Sequence, residues 1–152
     1  MLLVLSKNHP LIVDKWKSRI ILFLNGLSDD YPDFDIWLSR VFDEVPEGKR
    51  VIVLDIADND IRGLTILKNI DNEKKICTFR VEEKYRNQGI GTNLLKKSHE
   101  ILDTDKPLIT ISEKNIETFK PFLIHRGYEM TGSVLSLYQI GKREFFFNQT
   151  VS

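Results

Sequence analysis

Cysteine is nearly absent, with Cys77 alone among 152 residues. One thiol can form no internal disulfide and no thiolate metal cage, so neither device staples this chain. Its place inside the apolar run from Lys75 to Val81 reads as a small buried hydrophobe. A charge excess is also missing, because 22 Lys plus Arg meet 22 Asp plus Glu. Nucleic-acid binders usually carry a basic excess, since phosphate contacts supply most of their non-specific affinity. Neutrality therefore argues against a nucleic-acid partner. Long hydrophobic runs are lacking too, and nothing approaches the about eighteen apolar residues of a membrane-spanning helix. The opening Met1-Leu2-Leu3-Val4-Leu5 is short for a signal segment and has no basic residues before it. The expectation is a cytoplasmic protein.

Repeats, low-complexity tracts and Pro/Gly/Ser linkers are absent, so residues 1–152 read as one domain. Hydrophobic residues make up 41% of the chain, enough for one core without a staple. Leu2 to Leu5 suits a short edge strand. Pro10 suits the first turn of a helix, where its missing N–H costs nothing. Ile12, Trp16, Ile20, Ile21 and Leu24 follow helical spacing, with Asn25-Gly26 as the stop. Phe34, Trp37, Leu38, Val41, Phe42 and Val45 form a second apolar stripe, bounded by Pro32-Asp33 and by Pro46 and Gly48.

From Arg50 the period becomes two. Val51 to Ile56 and Ile61 to Leu67 read as a hairpin through Ala57-Asp58-Asn59-Asp60. The turn Asn69-Ile70-Asp71-Asn72 leads to a strand from Lys75 to Val81. Alternation there sends Cys77, Phe79 and Val81 one way, and Ile76, Thr78 and Arg80 the other. After Gly91 comes a helix with Leu94, Leu95, Ile101 and Leu102 on one side. Then follow a strand from Leu108 to Ile111, a helix carrying Phe119, Phe122 and Leu123, and strands over Val134–Tyr138 and Glu144–Phe147. This order predicts an α/β (α+β) fold, a mixed central sheet flanked by helices.

The chemistry concentrates between the third strand of the central run and the helix after it. Gly89 and Gly91 let the backbone turn and expose successive N–H groups at the positive end of that helix, an anion site. Arg86 adds a planar donor fork suited to phosphate. A strand-to-helix turn with no ligand is the plainer reading of Gly-x-Gly. A dinucleotide fingerprint would need a third glycine where Leu94 stands, and a P-loop would need Gly-Lys-Ser/Thr.

The run Val81-Glu82-Glu83-Lys84-Tyr85-Arg86-Asn87-Gln88-Gly89-Ile90-Gly91-Thr92-Asn93-Leu94-Leu95 resembles the central motif of the GNAT N-acetyltransferases. Glu83 replaces that family's usual proline and Asn87 its frequent first glycine; neither change removes a donor. The likeness covers Arg50 to Asn148, and the first fifty residues by element order. It implies the acyl-CoA N-acyltransferase fold and acetyl-CoA as co-substrate, with no metal. Backbone groups of Phe79 and Val81 would pair with the pantetheine arm like an added strand. Backbone N–H groups from Asn87 to Gly91, with the side chains of Arg86, Gln88 and Thr92, would hold the pyrophosphate. A bulge would splay this strand from Leu108–Ile111 and leave a cleft for the thioester.

The resemblance breaks at the acid. Many family members carry a tyrosine four residues before the glycine that ends the last helix, and that position is Leu123. Pro121 also interrupts the helix, so Thr118 is the expected N-cap, with Glu113 to Glu117 as a loop over the cleft. Tyr138, at the end of its strand, could protonate the departing thiolate, or its ring could simply pack. Asp55, on a strand face with Val51, Val53 and Ala57, could act as base, or sit as a hairpin-end acid near water. His125 suits a helix C-terminus, and His9 and His99 read as surface residues. The implied activity is acetyl transfer from acetyl-CoA to an amine on a small molecule or protein, with a homodimer possible. Two alternatives stand beside it: an acyl-CoA-binding module without catalysis, and a toxin-type aminoacyl-tRNA acetyltransferase, which would need a basic face.

Overall fold

Among the described residues, seven strands lie in one sheet in the order β1-β2-β3-β4-β5-β7-β6. The computed structural model describes residues 1–25 and 31–149. Strands β1 (Leu2–Leu5), β2 (Arg50–Ala57), β3 (Asp60–Ile70) and β4 (Glu73–Val81) form an antiparallel run. β5 (Leu108–Ser112) joins β4 in parallel, and β7 (Arg143–Phe147) and β6 (Met130–Leu135) extend the sheet antiparallel. Helices α1 (Pro10–Phe23) and α2 (Phe34–Glu44) precede β2, α3 (Ile90–Leu102) links β4 to β5, and α4 (Ile116–His125) follows β5. This is the mixed, helix-flanked sheet that the element order predicts.

Two tight hairpins set the antiparallel half. Asp58 and Asn59 have φ of 53° and 66°, and Asp71 and Asn72 have 50° and 67°. Paired left-handed residues match the right-handed twist of the strands they join, and Asn and Asp tolerate that region best. β3 therefore runs on through Asn69 and Ile70, which the sequence suggested as turn.

The core divides by sheet face. Trp16, Ile20, Leu38 and Val41 pack with Ile52, Leu54 and Ile66 on one face. Leu94, Leu95 and Leu123 pack with Val53, Leu67, Ile76 and Phe147 on the other. In α1 Trp16 and Ile20 are buried as predicted, as is Leu24 just after the helix. Val13 joins them, Ile12 is half-buried and Ile21 lies exposed, so the buried face is centred slightly differently from the predicted one. Its predicted stop at Asn25-Gly26 falls partly outside the described residues; the helix itself ends at Phe23. Helix α3 is tied to β3 by a buried pair, Thr65 Oγ1 and Ser98 Oγ at 3.0 Å, and Ser98 also donates to Leu94 O. Satisfied polar groups of this kind fix the helix against slippage, and with it the anion site at its start.

Three expectations change near the cleft. The register of β4 slips between Ile66 and Leu67, so Cys77 is the extra residue of a bulge. Ile76 then joins Phe79 and Val81 on the α3–α4 face, and Cys77 turns to the other face, half-buried and outside the core. β6 ends at Leu135, short of the predicted Tyr138, because Ser136 adopts φ 61° and begins a turn. Its N–H donates to Lys142 O and its hydroxyl accepts from Gly141 N, both at 2.8 Å. The apolar run misled there because β6 is an edge strand whose Val134 and Leu135 face outward. Finally, α4 is capped at Asn115, not Thr118, and holds Pro121 inside. The N–H that proline lacks would have gone to Glu117 O, on an exposed turn where water can serve it.

Candidate active site

β4 and β5 pair at only two positions, Lys75 with Leu108 and Ile76 with Ile109, and then diverge. The bulge at Cys77 marks the divergence. Beyond it the edge of β4 facing β5 has no strand partner, so backbone groups from Cys77 to Val81 line a gap. Phe79 sits in that gap over Phe119 and Phe122, with ring centroids 6.0 and 5.7 Å away.

At the gap's far end the chain makes a short 3₁₀ turn, Glu83–Tyr85, and enters α3. Asn87 and Gly89 have φ of 65° and 82°, and Gly89 is the N-cap of α3. The helical ladder starts with Asn93 N donating to Gly89 O at 3.1 Å. The first-turn N–H groups of Ile90, Gly91 and Thr92 have no acceptor within the helix, and they sit at its positive end. Arg86 through Gly89 are exposed above them. Gly91 acts through packing instead, since a Cβ there would stand 3.4 Å from the rings of both Phe122 and Phe79. It lets the helix start close to the aromatic floor of the gap. Arg86 Nε donates to Val81 O at 3.3 Å, so in this state its fork is folded back on the strand. Gln88 projects from the exposed loop.

Sequence reasoning missed Arg126. Its guanidinium lies 3.7 Å from the Phe122 ring centroid, donates to Phe122 O, and donates through Nη2 to Thr92 Oγ1. A second fixed cation thus stands at the first turn of α3. The only sequence signal was its position beside Gly127.

On the α1–α2 face the gap opens into a cleft of about 620 Å³. Tyr31, Trp37, Leu137 and Tyr138 line it, together with Thr110, Ser112 and Glu144 from β5 and β7. Glu144 is 5% exposed, and burial pushes its carboxyl up to about 7, against a hydrogen bond from Thr110 and the nearby charge of Lys75. A carboxyl poised near neutrality beside a cleft is suited to accept a proton. Tyr138 is 42% exposed, its hydroxyl accepts from Lys75 Nζ at 3.2 Å, and Tyr31 meets its ring edge-on. It reaches the cleft from the β6–β7 turn.

An acetyltransferase (GNAT) domain model matches residues 38–137. The chain belongs to the GNAT acetyltransferase family. No curated protein matches this GNAT chain by sequence. Its fold is similar to a GNAT-family acetyltransferase of Staphylococcus aureus, with 20% identity, a TM-score of 0.68 and coverage of 96% and 98% of the two chains. An aminoglycoside 6'-N-acetyltransferase complexed with coenzyme A aligns at 12% identity and a TM-score of 0.69, over 97% and 94%. A Bacillus anthracis protein described as a streptothricin acetyltransferase, in complex with acetyl coenzyme A, aligns at 19% identity and a TM-score of 0.57. That alignment covers 68% of this GNAT chain, which spans 64% of the Bacillus protein.

Other positions predicted for this GNAT chain stand elsewhere. Asp55 is buried, but its Oδ1 accepts from Arg62 Nε at 2.6 Å, and it is not part of the cleft lining. The hairpin that displays it also supplies its counter-charge. Leu123 is 1% exposed inside the core, and α4 presents Asn115 and Phe119 to the cleft instead. Neither offers a phenol hydroxyl. His99 is half-buried, not a surface residue: its Nε2 lies 2.6 Å from the Tyr128 hydroxyl, and burial lowers its pKa. Among the described residues, no group of three or more His, Cys, Asp or Glu could hold a metal ion, and no helix is long and apolar enough to cross a membrane.

Proposed function

We propose that this chain moves an acetyl group from acetyl-CoA to a primary amine by direct attack. The observation that carries the reading is the continuity of one passage through the sheet. The open β4 edge leads from the glycine cradle at α3 to a cleft lined by Glu144 and Tyr138. Pantetheine would lie along Phe79 and Val81, and the pyrophosphate would sit on the α3 N-terminus between Arg86, Gln88 and Arg126. In the transfer the amine nitrogen attacks the thioester carbonyl carbon, the C–S bond breaks, and an amide forms. Glu144 accepts the proton the amine must lose, and Tyr138 donates one to the departing sulfur. Lys75 Nζ donates to the Tyr138 hydroxyl at 3.2 Å and so helps hold it at the cleft. The names of the similar structures point to amine acceptors of antibiotic size; they support the reaction class and leave the acceptor open.

Acetyl-CoA should raise the melting temperature, because a ligand of the native state stabilises it by mass action. It should also release thiol when amines are supplied. No shift at millimolar acetyl-CoA sinks the reading. A second reading, a binding module without catalysis, is favoured by α4 alone, which offers Phe119 and no acid to the cleft. A clear thermal shift with no thiol release across a broad amine panel would select it.

A further inference from the structure

Three basic residues lie side by side across the floor of the cleft. Arg50 on β2 is the register partner of Lys68 on β3, and Lys68 is the register partner of Lys75 on β4. All three line the cleft on its α1–α2 face. Like charges directly opposite each other on neighbouring strands are destabilising, so a row of three calls for compensation. The protein supplies only part of it. Lys68 Nζ pairs with Glu73 at 2.9 Å. Glu44 forms a looser ion pair with Arg50, 3.7 Å from Nε, which offsets its charge but is too long to satisfy its N–H as a hydrogen bond. Lys75 donates to the neutral hydroxyl of Tyr138.

Arg50 is the sharpest observation. It is 6% exposed, its Nε has no hydrogen-bond partner, and Nη1 donates to Cys77 Sγ, a weak acceptor. Burial pushes the Cys77 thiol up, so it gives Arg50 no thiolate in return. A guanidinium nine-tenths buried with unmet donors is costly, and the acceptor that fits its fork is the oxygen pair of a carboxylate or phosphate. Arg40 adds a fourth cation at the rim, and the acids lining the same cleft are Asp33 and Glu144. A polycationic amine would enter against this excess; an anion would relieve it.

We propose that the acceptor is a small amine carrying its own anionic group, which docks on the Arg50–Lys68–Lys75 row and sets the amine beside Glu144. This rests on the acetyl-transfer reading and narrows it to one substrate class. The cleft volume suits an acceptor of this size.

The test uses matched pairs of acceptors with acetyl-CoA: an α-amino acid against its amide, phosphoethanolamine against ethanolamine, and spermidine as the polycation. At least one anionic member should exceed its neutral twin in kcat/KM by about tenfold or more, the usual scale for a charge-assisted contact. The pair with the larger ratio assigns carboxylate or phosphate. Lys68→Gln, milder than any change at buried Arg50, should raise KM for the anionic amine several-fold and shrink that preference. Its affinity for acetyl-CoA should not change. Equal or better use of the neutral amines or spermidine overturns the proposal, as does a preference that Lys68→Gln and Arg50→Gln both leave intact. If no amine turns over, the same pairs are compared by calorimetry on the CoA complex, and lack of an anionic preference there overturns it equally. Failure of acetyl-CoA to bind at all is a separate result, which removes the acetyl-transfer reading underneath.

Discussion

The two ends of the passage through the sheet are built from different materials. The coenzyme end is backbone: a strand edge without a partner, a left-handed Gly89, and the first turn of α3. The groups proposed to hold the coenzyme come from one contiguous stretch, Phe79 to Thr92, with Arg126, bonded to Thr92, as the one distant addition. The acceptor end is side chains, drawn from α2, β2, β3, β4, β5, β7 and the β6–β7 turn. A backbone site recognises what every acetyl-CoA has in common, so any residues that keep the turn will serve. A side-chain site is specific to one acceptor, and each of its members is fixed by tertiary packing alone. Substitutions should therefore separate cleanly, with coenzyme affinity failing at one end and turnover at the other.

The largest separation is expected at Glu144. Glu144→Gln keeps shape and removes the proton acceptor, so kcat should fall by roughly 10²–10⁴-fold while acetyl-CoA affinity stays the same. The wild type should also gain rate as pH rises through about 7, where Glu144 loses its proton, and the variant should lose that limb. A fall below tenfold would leave Glu144 as structure only. Tyr138→Phe comes next, with a loss near the low end of that range, about 10²-fold in kcat. A smaller loss would mean that the ring packs against Tyr31 and the thiolate leaves without help.

How much of each end was legible follows from the same contrast. The cradle could be read because its geometry is local: Gly-x-Gly after a strand and before a helix needs no partner from elsewhere. Glu144 could not be read. In Arg143-Glu144-Phe145-Phe146-Phe147 it is one charged residue at the start of an apolar run, and only pairing with Ser112 puts it in the cleft wall. Asp55 carried the same local signal, an acid among apolar neighbours, and Arg62 across the hairpin takes it out of play. Arg50 reads as the polar first residue of a strand, and the row it forms exists only once three strands are in register. The family resemblance implied a bulge in this strand, but its place at Cys77 was not legible, since an alternating run does not say where a residue will be left unpaired. The order of elements along the chain and the stripe of α2 came through because periodicity alone carries them.

At the coenzyme end the two glycines should fail differently. Gly89→Val puts a β-branched residue at φ 82°, which strains the cap and tilts the exposed N–H groups. Acetyl-CoA affinity should drop by about tenfold or more, the scale of one lost charge-assisted hydrogen bond. Gly91→Val presses on Phe79 and Phe122 instead, so it should lower the melting temperature before it lowers affinity. Titration calorimetry and thermal melts on the two variants distinguish the cases. Equal effects on affinity and stability in both would mean that the turn serves folding alone.

The smallest effect is a pH dependence of stability at the acceptor end. Glu144 is raised from 4.5 to about 7, chiefly by burial, so the folded protein holds its proton where the unfolded chain has lost it. Below 4.5 both states are protonated, and the contribution is fully present. Between 4.5 and about 7 the folded state binds more protons than the unfolded one, so stability falls as pH rises. Above 7 both are ionised and the loss is complete. Other carboxylates slope the opposite way, which makes the difference between two proteins the clean measurement. The melting temperature of Glu144→Gln minus that of the wild type should increase from its value at pH 4.5 and level off above 7, by up to about ten degrees in total. If an anion on the basic row is part of the native balance, a carboxylate-bearing amine should leave this slope in place and shift both curves upward. A flat difference across the range would mean that Glu144 is ionised throughout, and the base for transfer would have to be sought elsewhere in the cleft.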